Sequence, residues 1–194
     1  KIRTVTIKDG VEIIGENAFL ECNYLISITI PNSVKHIKTN AFLGCTSLKE
    51  VQIPNNVESI GKGAFQECSS LNSIIIPNGV KNIGNSAFNS CTSLKKVEIP
   101  GDITSIGNHM FQDCTSLTSI TIPNGVKKIY SGAFVECGNL ESIIIPSSVT
   151  EVEFAAFGIK YSAKIILETN STLDIADIAI HACILQRNVR VIRK

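Results

Sequence analysis

The feature that most constrains this chain is a period of 23 residues. Cysteine recurs at Cys22, Cys45, Cys68, Cys91, Cys114 and Cys137, and Cys183 lies two further periods on. Phenylalanine at 19, 42, 65, 88, 111, 134 and 157 and proline at 31, 54, 77, 100, 123 and 146 keep the same spacing, with no insertion or deletion between them. Self-similarity at this length marks an array in which each copy is one supersecondary unit. The unit reads C-x-x-L-x-x-I-x-I-P-x-x-V-x-x-I-G-x-x-A-F-x-x, seen plainly as Cys68, Leu71, Ile74, Ile76, Pro77, Val80, Ile83, Gly84, Ala87 and Phe88. A single unit cannot hide these apolar residues. Stacked coils can, because each apolar position then forms an internal column with its own equivalents above and below.

Local chemistry supports one coil per unit. Ile28-Thr29-Ile30, Val51-Gln52-Ile53 and Val97-Glu98-Ile99 alternate with period two, so one strand per coil points its aliphatics inward and the residue between them outward. Proline ends each strand and, lacking an N–H, limits the ladder to a few residues. Pro-Asn-Gly at 77–79 and 123–125 offers turn chemistry tolerant of positive φ. Val-x-x-Ile-Gly is compatible with a second short extended piece, and Ala-Phe before Cys reads as a helical turn too brief for a regular helix. Strands stacked at about 4.8 Å would place the Phe rings within the roughly 4.5–7 Å range of favourable offset contact.

Composition narrows the function classes. With 44% hydrophobic and 18% charged residues, the chain carries enough apolar material for a full core. A net charge of +1 gives no field to attract nucleic acid or an anionic membrane. The longest apolar stretches, such as 73–77 and 142–146, fall far short of the roughly 20 residues of a membrane-spanning helix. The chain opens at Lys1 without Met or a leader pattern, which suggests that an upstream segment has been removed.

The L-x-x-I-x-I core of Leu71, Ile74 and Ile76 resembles the leucine-rich-repeat signature, with Ile in place of two leucines. The Cys start, the I-x-I-P step and the I-G-x-x-A-F tail resemble the BspA-like class of bacterial repeats. Six units from Cys22 to Phe157 carry the match, and residues 1–21 form the end of an incomplete unit. The resemblance implies a right-handed, curved leucine-rich-repeat solenoid with little regular helix, forming a single domain over 1–194. It also implies a surface protein that adheres to host proteins or other cells. Beyond 157 the pattern decays: Lys160 stands for Cys, Ala163 for Leu, Glu168 for the second Ile and Thr169 for Pro. The phase continues in Ile175, Ala179, Ile180, Cys183, Val189 and Val191, so 158–194 reads as a degenerate terminal coil acting as a cap. Asp174 would cap a short helix from about Ile175 to Leu185.

Cysteine spaced once per coil offers none of the close pairs that zinc sites use and reads as a column of small buried hydrophobes. His36, His109 and His181 fall at different phases and read as surface or rim residues. No P-loop, dinucleotide fingerprint or metalloprotease pattern occurs, so neither a cofactor nor a metal is expected. Gly61, Gly84 and Gly107 recur with the repeat and read as turn positions. Asn170-Ser171-Thr172 matches a glycosylation acceptor.

The remaining place for function is the outward strand row that the concave face should display: Thr29, Gln52, Ile75, Glu98, Thr121, Ile144, Leu167 and Arg190. A second row two residues earlier reads Ser27, Glu50, Ser73, Lys96, Ser119, Ser142, Ile165 and Asn188. One reading makes these solvated strand residues of no special role. The other notes that Ile144, Leu167 and Ile165 gather near the C-terminal end as an apolar patch suited to a protein contact. The expected function is non-catalytic protein binding at a cell surface, with a structural spacer as the alternative.

Overall fold

Alternating apolar residues and a fixed period give each of the first seven coils two short strands, both paired with the equivalent strands of neighbouring coils. The computed structural model describes residues 1–157, 164–168, 171, 173 and 190–193. Numbered along the chain, the first sheet contains β1 (Thr4–Thr6), β3 (Ser27–Thr29), β5 (Glu50–Val51), β7 (Ser73–Ile75), β9 (Lys96–Glu98) and β11 (Ser119–Thr121). It continues through β13 (Ser142–Ile145), β15 (Lys164–Leu167) and β16 (Arg190–Arg193), and these strands lie in line as three hydrogen-bonded groups, β1-β3-β5, β7-β9 and β11-β13-β15-β16. The second face carries β2 (Ile13–Ile14), β4 (His36–Ile37), β6 (Ser59–Ile60), β8 (Asn82–Ile83), β10 (Ser105–Ile106), β12 (Lys128–Ile129) and β14 (Glu151–Val152). All pairings are parallel, and in the regular coils each residue pairs with the one 23 positions on, as Val5 with Ile28 and Ile37 with Ile60. The single strand per coil expected from the sequence is therefore accompanied by a second one, from Val-x-x-Ile-Gly.

A third line of coil-to-coil bonds runs through the Ala-Phe segment. Phe19, Phe42 and Phe65 donate their N–H groups to the carbonyls of Ala41, Ala64 and Ala87, each at 2.8 Å. Within the coil the same segment closes successive short turns, as Leu20 N–H to Asn17 O at 3.1 Å and Cys22 N–H to Phe19 O at 3.2 Å. These are turns and not helix, in keeping with the brevity of the segment.

Inside this frame the core consists of columns. Phe42 through Phe157 are fully buried, and successive rings from Phe19 onward lie 5.1–5.7 Å apart with nearly parallel planes. No polar or charged residue is buried among the described residues. Cys45, Cys68, Cys91, Cys114 and Cys137 form a further column of free, buried thiols. Each donates to the carbonyl of the Phe in the preceding coil, as Cys45 Sγ to Phe19 O at 3.1 Å and Cys91 Sγ to Phe65 O at 3.1 Å. A small residue with a weak donor fits the column and supplies that carbonyl with a partner.

Two local expectations are corrected. Positive φ does not occur at Pro-Asn-Gly. It occurs at two other points of each regular coil. One comprises Asn17, Asn40, Gly63, Ser86, His109, Gly132 and Ala155, and the other Glu21, Gly44, Glu67, Ser90, Asp113 and Glu136. The glycines of the repeat answer to crowding instead. A Cβ on Gly84 would stand 2.3 Å from the Lys62 nitrogen, and one on Gly79 would stand 2.4 Å from the Asn55 carbonyl oxygen, because coils approach closely there.

The second correction concerns phase. Ile143, Ile144 and Ile145 pair with Ile165, Ile166 and Leu167, so this step spans 22 residues, one fewer than a regular coil. The following step, Lys164 to Arg190, spans 26. Residues 165–167 therefore preserve the strand that a strict 23-residue count appeared to lose, with Leu167 standing for the second Ile and Glu168 for Pro. Leu167 and Ile165, expected to face outward, are fully buried. The proposed helix at 175–185, with Asp174, Cys183, His181, Asn188 and Asn170, lies outside the described residues.

Two outcomes follow. Gly84→Ala forces backbone apart at a coil interface and is expected to cost about 1–3 kcal/mol in denaturant unfolding. Gly101→Ala, where an added Cβ meets nothing within 4 Å, should leave the midpoint unchanged. In the thiol column, burial pushes Cys45 and Cys137 up to about 12 and holds Cys68, Cys91 and Cys114 well above the ordinary thiol range. Among the described cysteines only Cys22 is exposed. With Cys183→Ser as background, a water-soluble thiol reagent should label Cys22 rapidly and the five column thiols only after unfolding. Rapid labelling of the column in native protein would contradict the burial.

Candidate recognition surface

The outward positions of the first sheet stand free because their neighbours in sequence fill the core. Thr29, Gln52, Ile75, Glu98 and Thr121 are exposed, Ile75 to 63%, while Ile28, Val51, Ile74, Val97 and Ile120 between them are buried. Pleating thus separates the two sets cleanly. Over β3, β5 and β7 this face forms a shallow concavity of about 630 Å³, bounded by Ser27, Thr29, Glu50, Gln52, Ser73 and Ile75. A smaller one of about 310 Å³ lies over β9 and β11 beside Lys96, Glu98, Ser119 and Thr121. Lys96 and Glu98 neutralise each other there at 2.6 Å; with both side chains well exposed, the pair contributes little to stability.

Toward the C-terminal end the one-residue-short coil changes which side chains share the row. Ile144 remains on it, half-buried, beside Thr121. Next to Ile144 stands Ile166, not Leu167, and next to Ile166 stands Ile192, 39% exposed. Arg190 pairs with Lys164 and so continues the other row, the one that runs through Ser119 and Ser142. Of the apolar patch expected at this end only Ile144 stays on the surface, since Leu167 and Ile165 are buried; Ile166 and Ile192 stand beside it instead. Sequence reasoning missed both because 165–167 is apolar throughout and shows no alternation to set its phase.

The second face carries a charge cluster that no spacing argument singled out. Lys128 on β12 lies 2.6 Å from Glu151 and 2.9 Å from Glu153, with its ammonium 4.6 Å above the centre of the Tyr130 ring. Hydrogen bonds to Glu151 and then Glu153 raise the Lys128 pKa, while the bond from Lys128 lowers that of Glu153. Lys128 therefore stays protonated, an ion-pair tie between coils. Position 128 neighbours 151 only because coils stack.

His36 is partly buried, with Nδ1 2.9 Å from Ser59 Oγ, and His109 is exposed. Among the described residues no group of His, Cys, Asp and Glu converges as a metal site would require. No helix among them is long and apolar enough to cross a membrane.

The family model for the BspA type leucine rich repeat region matches in six copies, over residues 1–114 and 81–190. No curated protein matches the chain. Among solved structures, a leucine-rich repeat protein from Bacteroides ovatus is 31% identical with a TM-score of 0.79, over 99% of this chain and 51% of that one. A leucine rich repeat protein of T. pallidum is 28% identical with a TM-score of 0.75, over 96% of this chain and 86% of that one. A leucine rich cell surface protein from Faecalibacterium prausnitzii is 26% identical with a TM-score of 0.61, over 96% of this chain and 64% of that one. The chain thus spans about half the length of the first of these and under two thirds of the last. Stacked parallel strands, a Cys and Phe column and a six-copy match place the chain in one family: it belongs to the BspA-type leucine-rich-repeat proteins.

Proposed function

We propose that this chain is a non-catalytic protein-recognition module displayed at a cell surface, and that it binds through the outward face of the first sheet. The observation that carries this reading is the exposed row Thr29, Gln52, Ile75, Glu98 and Thr121, held in register over a shallow concavity while every intervening residue is committed to the core. Eight strand-to-strand steps at about 4.8 Å make a surface on the order of 40 Å long, sufficient for a standard protein interface. The backbone beneath is tied coil to coil by at least one strand ladder and by the Phe N–H bonds, so little conformational freedom is lost on binding. The similarity to a bacterial protein described as a cell surface protein supports the location. The buried cysteine column, with thiols held protonated, supplies no nucleophile, which agrees with a role in binding.

A spacer role is the second reading, favoured by the unbroken repetition of coils from Cys22 to Phe157. The two separate by mutation. Immobilised chain is incubated with host matrix and cell-surface extracts, and bound proteins are quantified against the variant Ile75→Lys with Thr121→Lys. Recognition through this face predicts a loss of about tenfold in retained partner, the equivalent of about 1.4 kcal/mol. Equal retention by both proteins would sink the sheet-face reading and favour the spacer.

A further inference from the structure

The C-terminal third of the sheet face has a chemistry that the rest lacks. On β11, β13, β15 and β16 the outward positions fall into two rows: Thr121, Ile144, Ile166 and Ile192, and beside them Ser119, Ser142 and Lys164, with the backbone of Arg190 paired to Lys164. The first row is an apolar stripe across three adjacent strands. Lys164 is exposed, and Arg190 occupies the next backbone position in the same row. No carboxylate occupies an outward position on these four strands; Glu141 and Glu168 lie beyond the strand ends. On β9, by contrast, the lysine of the row is neutralised by Glu98.

We propose that this stripe and its basic margin bind a polypeptide segment in which acidic and aliphatic side chains lie two residues apart. This rests on the recognition role proposed above and names the partner chemistry at one part of that surface. Residues two apart on a strand are separated by about 6.8 Å, which is also the distance between the two rows, since each row takes every second residue. An extended segment lying along the strands therefore sets an acidic side chain over Lys164 and an aliphatic one over Ile144, Ile166 or Ile192. Desolvation of the isoleucines supplies affinity, and charge complementarity selects and orients the segment. Serine at 119 and 142 leaves the margin open to hydrogen bonding and free of steric obstruction. An anionic membrane is the less favoured occupant, because the single exposed Lys164 on a short face offers weak electrostatic anchoring.

The test uses the full chain and synthetic peptides built on repeated Glu-Ser-Val-Ser, with versions carrying Lys or Gln in place of Glu. Binding is measured by fluorescence anisotropy at low and high salt. The acidic peptide should bind at least about tenfold more tightly than the lysine version, with the glutamine version between them, and should weaken as salt rises. Lys164→Glu should remove the preference for the acidic peptide. Ile144→Ser with Ile166→Ser should lower affinity for all three, while Leu20→Ser, remote from this face, should change nothing. Far-ultraviolet circular dichroism and thermal unfolding identify any variant that has lost its fold, and the salt and peptide-charge comparisons on unaltered protein do not depend on the variants. Equal binding of all three peptides, or none, overturns the inference. So does self-association in sedimentation that Ile166→Ser abolishes, or capture by phosphatidylserine vesicles stronger than by the acidic peptide. If the peptides fail while partner capture still depends on Ile75 and Thr121, the recognition role stands and only the assignment of the C-terminal stripe falls.

Discussion

Everything in this protein depends on one coil lying directly on the next at the spacing of paired strands. Backbone bonds enforce it at every step: one or both strand ladders, and the Phe N–H bonds between turns, which run from Phe19 through Phe134. Once that spacing is set, each core position meets its own equivalents in the coils above and below. A Phe column becomes a stack of nearly parallel rings, and a Cys column becomes a row of thiols donating to Phe carbonyls. Stability in such an array is a sum of coil and interface contributions between neighbours, which is why the same residue types return at every step.

The same spacing explains the irregular positions. Glycine at 84 is required because a side chain would meet the backbone of the coil before it, not because the chain turns there. The left-handed residues recur twice per regular coil and are filled by Asn, Ser, Glu, Asp, His and Ala as well as Gly. Non-glycine residues at positive φ each cost on the order of 1–2 kcal/mol. The surrounding ladders hold them in place, so this part of the coil tolerates more sequence variation than the strand columns do.

The candidate surface follows from what the core leaves outside. Pleating exposes one residue between two buried ones, so the outward rows are free to vary while their neighbours are not. The face is accordingly uneven: polar with one isolated isoleucine over β3 to β11, apolar over β13 to β16 beside the exposed Lys164. Lys128, Glu151 and Glu153 on the second face tie neighbouring coils together, with two carboxylates matching the one ammonium.

The sequence alone determined the period, the stacking, the identity of the core columns from Leu25 to Phe157, and the outward character of Thr29, Gln52, Ile75, Glu98, Thr121 and Ile144. It could do so because alternation and repetition are local signals that survive wherever apolar and polar residues interleave. Only the tertiary structure decided the phase beyond Phe157. Ile165, Ile166 and Leu167 are all apolar, and which of them faces the core depends on where hydrogen bonding to β13 places them. That pairing absorbed a missing residue, buried Leu167 and Ile165, brought Ile166 and Ile192 beside Ile144, and moved Arg190 into line with Lys164. The same dependence on coil contact explains why the crowded glycines, the left-handed positions and the Lys128 cluster were not legible: each is a relation between residues about 23 apart, fixed by packing rather than by neighbours in the chain.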